Sequence, residues 1–301
     1  QLNPRQREAA KYIDGPLLVL AGAGSGKTSV ITRKIAYLID ACGIKSHHIA
    51  AVTFTNKAAK EMKERVMQLT GRGGARGLTV STFHNLGLGI IRQELATTGY
   101  KSGFSILDQD DCKGILRDVM HREHGDDGDM LDMVQNEISN LKNDLITPEQ
   151  AINKAASPQE VLVAQTYSVY QRMLKAYNAV DFDDLIMVPT ILFRDNPEVL
   201  TRWQKKIRYL LVDEYQDTNT SQYELVKLLV GHRNGLTVVG DDDQSIYAWR
   251  GARPENLSLL KKDFPSLKLI KLEQNYRSTG LILNAANIVI DNNPHEFEKK
   301  L

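Results

Sequence analysis

A short apolar run followed by small residues, a lysine and a threonine constrains the fold of this chain more than any other stretch. Residues 17–20 are four consecutive apolar residues, which predicts a buried strand. Lys27 can contact the β- and γ-phosphates of a nucleotide, and the Thr28 hydroxyl can bind Mg²⁺. Between the apolar run and Lys27, small residues let backbone N–H groups approach phosphate oxygens. These residues are Ala21, Gly22, Ala23, Gly24, Ser25 and Gly26. We therefore predict a polyphosphate-binding loop between a strand and a helix.

The helix after this loop is predicted by apolar residues that share one face, namely Val30, Ile31, Ile35 and Leu38. The N-terminus of such a helix directs a partial positive charge at a bound phosphate. Ala21 stands where the strict phosphate-loop pattern has glycine, so the sequence fits only the relaxed pattern. A glycine-rich turn without a ligand is the alternative for this stretch taken alone.

Composition predicts a globular protein, and the chain is long enough for two domains. The 301 residues are 42% hydrophobic, and the net charge of +1 neither supports nor excludes a nucleic-acid partner. Cys42 and Cys112 have neither metal-ligand spacing nor the number that a disulfide scaffold needs. The sequence shows no signal-peptide pattern and no apolar run long enough to cross a bilayer. We expect a soluble protein of a reducing cytoplasm, without a membrane partner.

The N-terminal segment predicts a helix capped by Asn3, with Pro4 in its first turn. Gln6 lies inside that turn. A glutamine in this position is usually solvated, although its amide could also bind an adenine edge by paired hydrogen bonds.

Two further strands are predicted before the chain becomes helical, at residues 49–55 and 78–82. Thr55 and Asn56 lie at the carboxyl end of the first of these strands, where open α/β sheets bind ligands. His84 follows the second strand and has no carboxylate or cysteine neighbour at ligand spacing. A hydrogen-bonding role or ordinary packing is therefore favoured over metal binding.

Residues 86–196 have a helical pattern with almost no strand signal, which predicts a separate helical insertion. Thr147 and Ser157 each precede a proline and a capping-box partner, a combination that marks helix starts. The acidic, glycine-broken segment 123–132 predicts a surface loop. Residues 181–184 precede an apolar run, so their carboxylates favour helix capping, with metal binding as the lesser alternative.

Two more apolar strands place acidic residues at their carboxyl ends. Residues 207–212 precede Asp213 and Glu214, which in a phosphate-loop enzyme would hold Mg²⁺ and activate the attacking water. Residues 236–239 precede three aspartates and Gln244, whose amide can contact a γ-phosphate. Surface turns are the alternative, but each cluster directly follows a predicted buried strand.

Aromatic residues and a cation follow shortly afterwards. Tyr247 and Trp249 lie beside Arg250, a pattern that suits stacking on unpaired bases at about 1–3 kcal/mol per base. Packing in a core is the commoner role of aromatic residues. The last predicted strand, residues 267–272, precedes Arg277, which could stabilise charge on a transferring phosphoryl group.

Taken in order, these motifs resemble those of the superfamily 1 DNA helicases of the Rep, UvrD and PcrA type. The segments that carry the resemblance are 2–6, 21–28, 54–59, 82–84, 213–217, 240–251 and 274–278. The resemblance extends through nearly the whole chain, including the insertion. Residues 143–145 and 217–231 are most similar to the Rep branch of the family.

The resemblance implies an α/β fold, with a RecA-like phosphate-loop parallel sheet flanked by helices and an inserted all-helical subdomain. It implies a motor lobe made of residues 1–85 and 197–277, the insertion at 86–196, and the start of a second lobe at 278–301. Members of the family use ATP to move 3′ to 5′ along one DNA strand. The implied partners are single-stranded DNA, 3′-tailed or forked duplexes and replisome proteins in replication or repair.

The resemblance also implies roles for individual residues. The catalytic residues would be Lys27, Asp213, Glu214, Gln244 and Arg277, and Mg²⁺ would be held by Thr28 and Asp213. ATP would contact Gln6, the loop from Ala21 to Thr28, Tyr276 and Arg277. The residues along the DNA strand would be Phe54, Thr55, Asn56, Thr82, His84, Tyr247, Trp249 and Arg250.

Two departures from the family pattern modify these expectations. Ser29 stands where relatives commonly carry arginine, which predicts weaker or differently shared nucleotide affinity. The second motor lobe is absent after about Arg277, which predicts weak nucleotide and DNA binding, poor ATPase activity and no unwinding by this chain alone. The alternatives are a phosphate-loop ATPase or kinase not coupled to DNA, and a nucleic-acid-binding scaffold with a vestigial nucleotide site.

Overall fold

The computed structural model describes residues 1–22, 26–124, 127–241 and 255–272. The strands of these residues are β1 (Leu17–Ala21), β2 (Ile49–Thr53), β3 (Thr79–Thr82), β4 (Ser105–Ile106), β5 (Ala179–Val180), β6 (Tyr209–Val212), β7 (Leu236–Asp241) and β8 (Lys268–Leu272). Their helices are α1 (Pro4–Lys11), α2 (Lys27–Asp40), α3 (Asn56–Gly74), α4 (Phe83–Gln93), α5 (Leu95–Thr98), α6 (Gln109–His124), α7 (Gly128–Asn143), α8 (Pro148–Lys154), α9 (Pro158–Ala176), α10 (Asp184–Asp195), α11 (Pro197–Lys206), α12 (Thr220–Val230) and α13 (Glu255–Asp263).

Six strands form one sheet in the order β3-β2-β6-β7-β1-β8, and every neighbouring pair is parallel. In the register of β1, Leu17 lies opposite Thr237 on one side and Lys268 on the other. All five residues of β1 are buried, as expected for an interior strand of a parallel sheet covered by helices. The predicted α/β fold with a parallel sheet flanked by helices is confirmed.

The strand order determines which residues share the carboxyl edge of the sheet. β6 and β7 separate β1 from β2, although β2 is the next of these strands along the chain. Because all the strands are parallel, the segments after β1, β2, β3, β6 and β7 leave the sheet at one edge. Residues far apart in sequence are thereby brought to one side of the fold.

The chain divides into two compact units. Of the described residues, the sheet unit comprises 1–83, 197–219 and those after 225, and the helical unit comprises 84–196 and 220–225. In the sheet unit, the predicted apolar face of α2 is buried in the same core as Leu17 and Val19 of β1. None of the described helices is long and apolar enough to cross a membrane.

The helical unit has its own apolar core, which includes Val134, Tyr167 and Leu174. Two of its helices, α8 and α9, begin where the sequence predicted. The side chains of Thr147 and Gln150 cap one another's backbone N–H groups, and the Ser157 hydroxyl accepts from the Glu160 N–H. Its only described strands, β4 and β5, form a parallel pair of two residues each.

The prediction of a surface loop at 123–132 is wrong over most of its length. The helix α6 continues to His124, and α7 begins at Gly128. The Asp127 carboxylate accepts hydrogen bonds from the Asp129 and Met130 N–H groups, so it caps the N-terminus of α7. A capped N-terminus allows a helix to begin at a glycine.

Of the carboxylates predicted to cap a helix, Asp181 accepts from the first N–H of α10, whereas Asp183, at the N-cap position, makes no side-chain cap hydrogen bond. Asp181 and Asp184 also pair with a buried lysine. The Asp184 N–H donates to Asp181 at 2.9 Å, and the Asp181 N–H donates to Asp184 at 3.1 Å. The Lys142 ammonium lies 2.6 Å from Asp181 and 2.9 Å from Asp184. An ammonium thus occupies the position that a metal ion would need.

Candidate active site

Lys27 is the first residue of α2, and its ammonium lies between two carboxylates from neighbouring strands. It is 2.7 Å from Glu214, which follows β6, and 3.1 Å from Asp241, the last residue of β7. Burial by itself lowers the pKa of Lys27, but Glu214 and Asp241 together raise it overall. The ammonium is therefore charged, and a nucleotide phosphate would compete with these two carboxylates for it.

Asp213 and Glu214 directly follow β6, as the sequence predicted. Glu214 has a left-handed backbone with φ of 54°, and its N–H donates to the Asp213 carboxylate at 2.8 Å. Burial, followed by the charge of Glu214, raises the pKa of Asp213 to about 6. The site thus holds Asp213, Glu214 and Asp241 around one lysine, and an added divalent cation would offset their excess negative charge.

The donor set fits Mg²⁺ that is shared with phosphate oxygens. No group of three or more His, Cys, Asp or Glu side chains among the described residues could hold a metal ion by itself. In nucleotide sites Mg²⁺ is held by one or two carboxylates together with substrate phosphates. Asp213 can supply the carboxylate, and Thr28 in the first turn of α2 can supply a hydroxyl.

Gln216 joins the two acidic strand ends, and the sequence did not single it out. Its amide nitrogen donates to Glu214 at 2.6 Å, and its amide oxygen accepts from the Asp241 N–H at 3.0 Å. A Cβ at Gly240 would lie only 3.1 Å from that amide oxygen, so the glycine leaves room for the contact. The side chain of Gln216 thereby fixes the position of Glu214 relative to β7.

Gln6 lies beside the phosphate loop. It closes a capping box with Asn3, in which the Asn3 N–H donates to the Gln6 amide oxygen at 2.9 Å. Gly26 has φ of 77°, and a Cβ at this position would collide with the Gln6 amide nitrogen. An amide group carries both a donor and an acceptor, so the residue type suits binding to the edge of a base.

Four of the residues predicted to contact DNA lie at the carboxyl ends of β2 and β3 in the sheet unit, namely Phe54, Thr55, Asn56 and Thr82. Thr55 and Asn56 are exposed at the start of α3, where the Thr55 hydroxyl accepts from the Ala58 N–H at 3.1 Å. The half-buried Phe54 ring lies 5.3 Å from the ring of Phe83. Thr82, the last residue of β3, is buried.

His84 is the first residue of the helical unit, and its ring lies against an aromatic residue that the sequence did not single out, at an interplanar angle of 47°. The His84 and Phe182 ring centroids are 4.7 Å apart, and Phe182 is 57% exposed. Burial lowers the pKa of His84, so its ring is neutral at pH 7. The signal available in the sequence was a phenylalanine among three aspartates, since an apolar side chain in such a polar segment gains nothing from contact with water.

Several predicted site residues lie outside the described residues. They are Ala23, Gly24, Ser25, Gln244, Tyr247, Trp249, Arg250, Tyr276 and Arg277, together with the segment 278–301. Of the predicted nucleotide-site residues, the structure brings together Gln6 with Gly26, and Lys27 with Glu214 and Asp213. To these it adds Gln216 and Asp241.

Comparison with known proteins identifies the family of the chain. The family described as the UvrD/REP helicase N-terminal domain matches residues 2–265. The chain is 62% identical over 301 residues to the ATP-dependent DNA helicase Rep of Escherichia coli K12 and covers 45% of that protein. It is 51% identical over 300 residues to Rep of Buchnera aphidicola subsp. Schizaphis graminum, with 46% covered, and 49% identical over 301 residues to PcrA of Staphylococcus aureus Mu50, with 41% covered. The chain spans less than half the length of these relatives, and it belongs to the UvrD/REP helicase family.

Proposed function

We propose that this chain is the ATP-binding motor part of a DNA helicase that moves 3′ to 5′ along single-stranded DNA in replication or repair. The observation that carries the proposal is the meeting of Lys27, Glu214 and Asp241 at the carboxyl ends of adjacent parallel strands. The names of the relatives, ATP-dependent DNA helicases Rep and PcrA, support it.

In the proposed reaction each described residue has one task. Lys27 binds the β- and γ-phosphates, while Thr28 and Asp213 hold Mg²⁺, which offsets phosphate charge. Glu214 orients the attacking water and accepts its proton. Because Glu214 pairs with Lys27 in the structure, the phosphates must first draw Lys27 away before Glu214 can take a proton.

The remaining proposed contacts rest on the family resemblance. Gln244 and Arg277 contact the γ-phosphate, and Tyr276 packs near the adenine, with Gln6 bound to its edge. The residues proposed to line the track of the single strand are Phe54, Thr55, Asn56, Thr82, His84, Tyr247, Trp249 and Arg250.

The order of strands offers a route from nucleotide to DNA. β2, which leads to Thr55 and Asn56, is hydrogen-bonded to β6, which leads to Asp213 and Glu214. A shift at the end of β6 when ATP binds therefore acts on the neighbouring strand that carries DNA contacts. We propose single-stranded DNA and 3′-tailed or forked duplexes as substrates, with replisome proteins as partners.

The test is ATP turnover of the intact protein with and without single-stranded DNA. We expect stimulation by DNA, abolished in Lys27→Ala and retained in Lys63→Ala, an exposed lysine of α3. Unwinding of a 3′-tailed but not a 5′-tailed duplex tests the direction of movement. Turnover without DNA stimulation would indicate an ATPase or kinase not coupled to DNA, and DNA-dependent function retained in Lys27→Ala would indicate a scaffold.

The chain by itself should bind ATP–Mg²⁺ and single-stranded DNA weakly and should not unwind. Motors of this kind work by closing a second lobe on the nucleotide, and this chain covers 45% of the E. coli relative. Strand separation by the purified chain would contradict this part of the proposal.

A further inference from the structure

The helix α1 carries Gln6 but has little apolar surface to hold it in place. Its buried residues are Ala9 and Ala10, and methyl side chains remove little area from water. Its ion pair with the sheet, Glu8 to Lys268 at 3.3 Å, is partly exposed, and such pairs contribute little. The position of α1 therefore depends on other contacts.

Lys34 of α2 supplies a contact of the required kind. Its side chain is 0% exposed, and its ammonium donates to the carbonyl oxygens of Ala9, at 3.1 Å, and of Tyr12. These carbonyls lie at the C-terminal end of α1, where the last carbonyl groups lack intrahelical partners and carry partial negative charge. Within the described residues, the ammonium has no carboxylate partner.

Burying an ammonium in an apolar core is costly unless hydrogen bonds compensate, so Lys34 is not explained as a filler of space. It lies seven residues after Lys27 on the same helix, about 10 Å and two turns further along. The helix α2 thus begins at the phosphate site, and a lysine in the middle of α2 binds the C-terminal end of α1.

The position of the Gln6 amide depends on the contact between Lys34 and the C-terminal end of α1. The helix α1 has eight residues, about 12 Å of rigid length, with Lys34 bound at its C-terminal end. At its N-terminal end the Gln6 amide is oriented by Asn3 and lies against Gly26. A displacement or tilt of the C-terminal end of α1 would move the Gln6 amide relative to the phosphate loop.

We propose that Lys34 is a positioning residue that holds α1 against α2 so that Gln6 selects adenine over guanine, a role that rests on the proposed binding of ATP. The amide of Gln6 offers a donor and an acceptor, which match the N6 amino group and N7 of adenine, whereas guanine presents acceptors there. A correct match needs the amide at a fixed place. Lys34 provides that placement without touching the nucleotide.

The test compares the ATP and GTP affinities of the intact protein carrying Lys34→Met, Gln6→Ala or both. Arg33→Met is the matched control, since Arg33 is exposed on the same helix. Lys34→Met and Gln6→Ala should each lower the preference for ATP over GTP by about tenfold, and the double variant should lower it no further. An equal loss of affinity for both nucleotides in Lys34→Met, or full additivity in the double variant, would overturn the proposal.

Amide hydrogen exchange measured without nucleotide tests the contact of Lys34 with α1 independently of the proposed binding of ATP. Exchange in α1 should be faster in Lys34→Met than in Arg33→Met, whatever the nucleotide results are. If Gln6→Ala leaves the preference unchanged, adenine recognition by Gln6 fails, while unchanged exchange in α1 refutes the hold by Lys34. Lys34→Arg keeps a cation with hydrogen-bond donors and should retain most of the preference for ATP over GTP. If Lys34→Met does not fold, Lys34→Arg can be measured in its place.

Discussion

The Lys27 ammonium lies 2.7 Å from Glu214, so the residue expected to bind phosphate is paired with the residue expected to activate water. In this arrangement Glu214 is a counter-ion of Lys27, together with Asp241 at 3.1 Å. Phosphate oxygens that bind Lys27 compete with both carboxylates. Nucleotide binding and release of the general base are thereby linked in one exchange of ion pairs.

Glu214→Gln separates these two roles. The variant should hydrolyse ATP about 10²- to 10⁴-fold more slowly, the usual contribution of a general base. Its affinity for ATP should be unchanged or higher, because Lys27 loses a competing carboxylate. Single-turnover hydrolysis and equilibrium binding measure the two effects, with Glu64→Gln on the exposed face of α3 as the control. Parallel losses of affinity and rate would show that Glu214 supports binding instead.

Gln216→Leu removes the amide that joins Glu214 to the N–H of Asp241. Glu214 keeps its charge but loses the donor that orients it, so kcat should fall by about tenfold while KM for ATP changes little. Steady-state kinetics check this split, and Gln68→Leu, exposed on α3, is the control. A change confined to KM would mean that Gln216 acts on binding.

The sequence predicted the frame of the site well because strand ends follow from local patterns. Asp213 and Glu214 directly follow the buried strand β6, and Lys27 follows the buried strand β1 after a short loop. Parallel pairing brings the ends of such strands to one edge. Residues 241–243 are three consecutive aspartates, and local pattern does not reveal which of them faces Lys27. Which aspartate faces Lys27 depends on where β7 ends. The end of β7 is in turn determined by its pairing with β1 and β6.

Contacts between distant segments were harder to predict. Gln216 accepts a hydrogen bond from the Asp241 N–H, which belongs to a strand that begins 20 residues later in the sequence. Lys34 did leave a signal, since it lies on the apolar face of α2 beside Ile31 and Ile35. Its partners are backbone carbonyls of α1, and no side-chain pattern reports on these.

The buried cation Lys142 should contribute far more to stability than a surface lysine in the same unit. Lys142→Met leaves Asp181 and Asp184 buried without their counter-ion, and the free energy of unfolding should fall by about 3–5 kcal/mol. The partly exposed pair between Lys113 and Asp132, at 2.8 Å, provides the comparison. Lys113→Met should cost about 1 kcal/mol or less. Denaturant unfolding measures both, and similar losses would contradict the assignment.

The burial of Lys34 predicts a pH dependence of stability. Burial lowers the pKa of Lys34 from 10.5 to about 7, with Cys42 acting in the opposite direction. The Lys34 ammonium lies 5.7 Å from the centroid of the Tyr209 ring. Between these two values the unfolded chain binds one more proton than the folded chain, so stability rises with pH. Relative to Lys34→Met, the wild type should gain up to about 1.4 kcal/mol per pH unit above pH 7. Unfolding measured at pH 6, 7, 8 and 9 checks the slope, and parallel curves would refute it.

Close packing inside the helical unit gives a prediction with a matched control in the same helix. A Cβ at Gly87 of α4 would collide with the carbonyl oxygen of Leu185, whereas a Cβ at Gly89 would meet nothing within 4 Å. Gly87→Ala must push α10 away and should destabilise the protein by about 1–3 kcal/mol or more. Gly89→Ala relieves the entropy cost of a helical glycine and should stabilise it by about 0.5–1 kcal/mol. Opposite shifts in thermal unfolding temperature are expected, and shifts of the same sign would contradict the packing of α4 on α10.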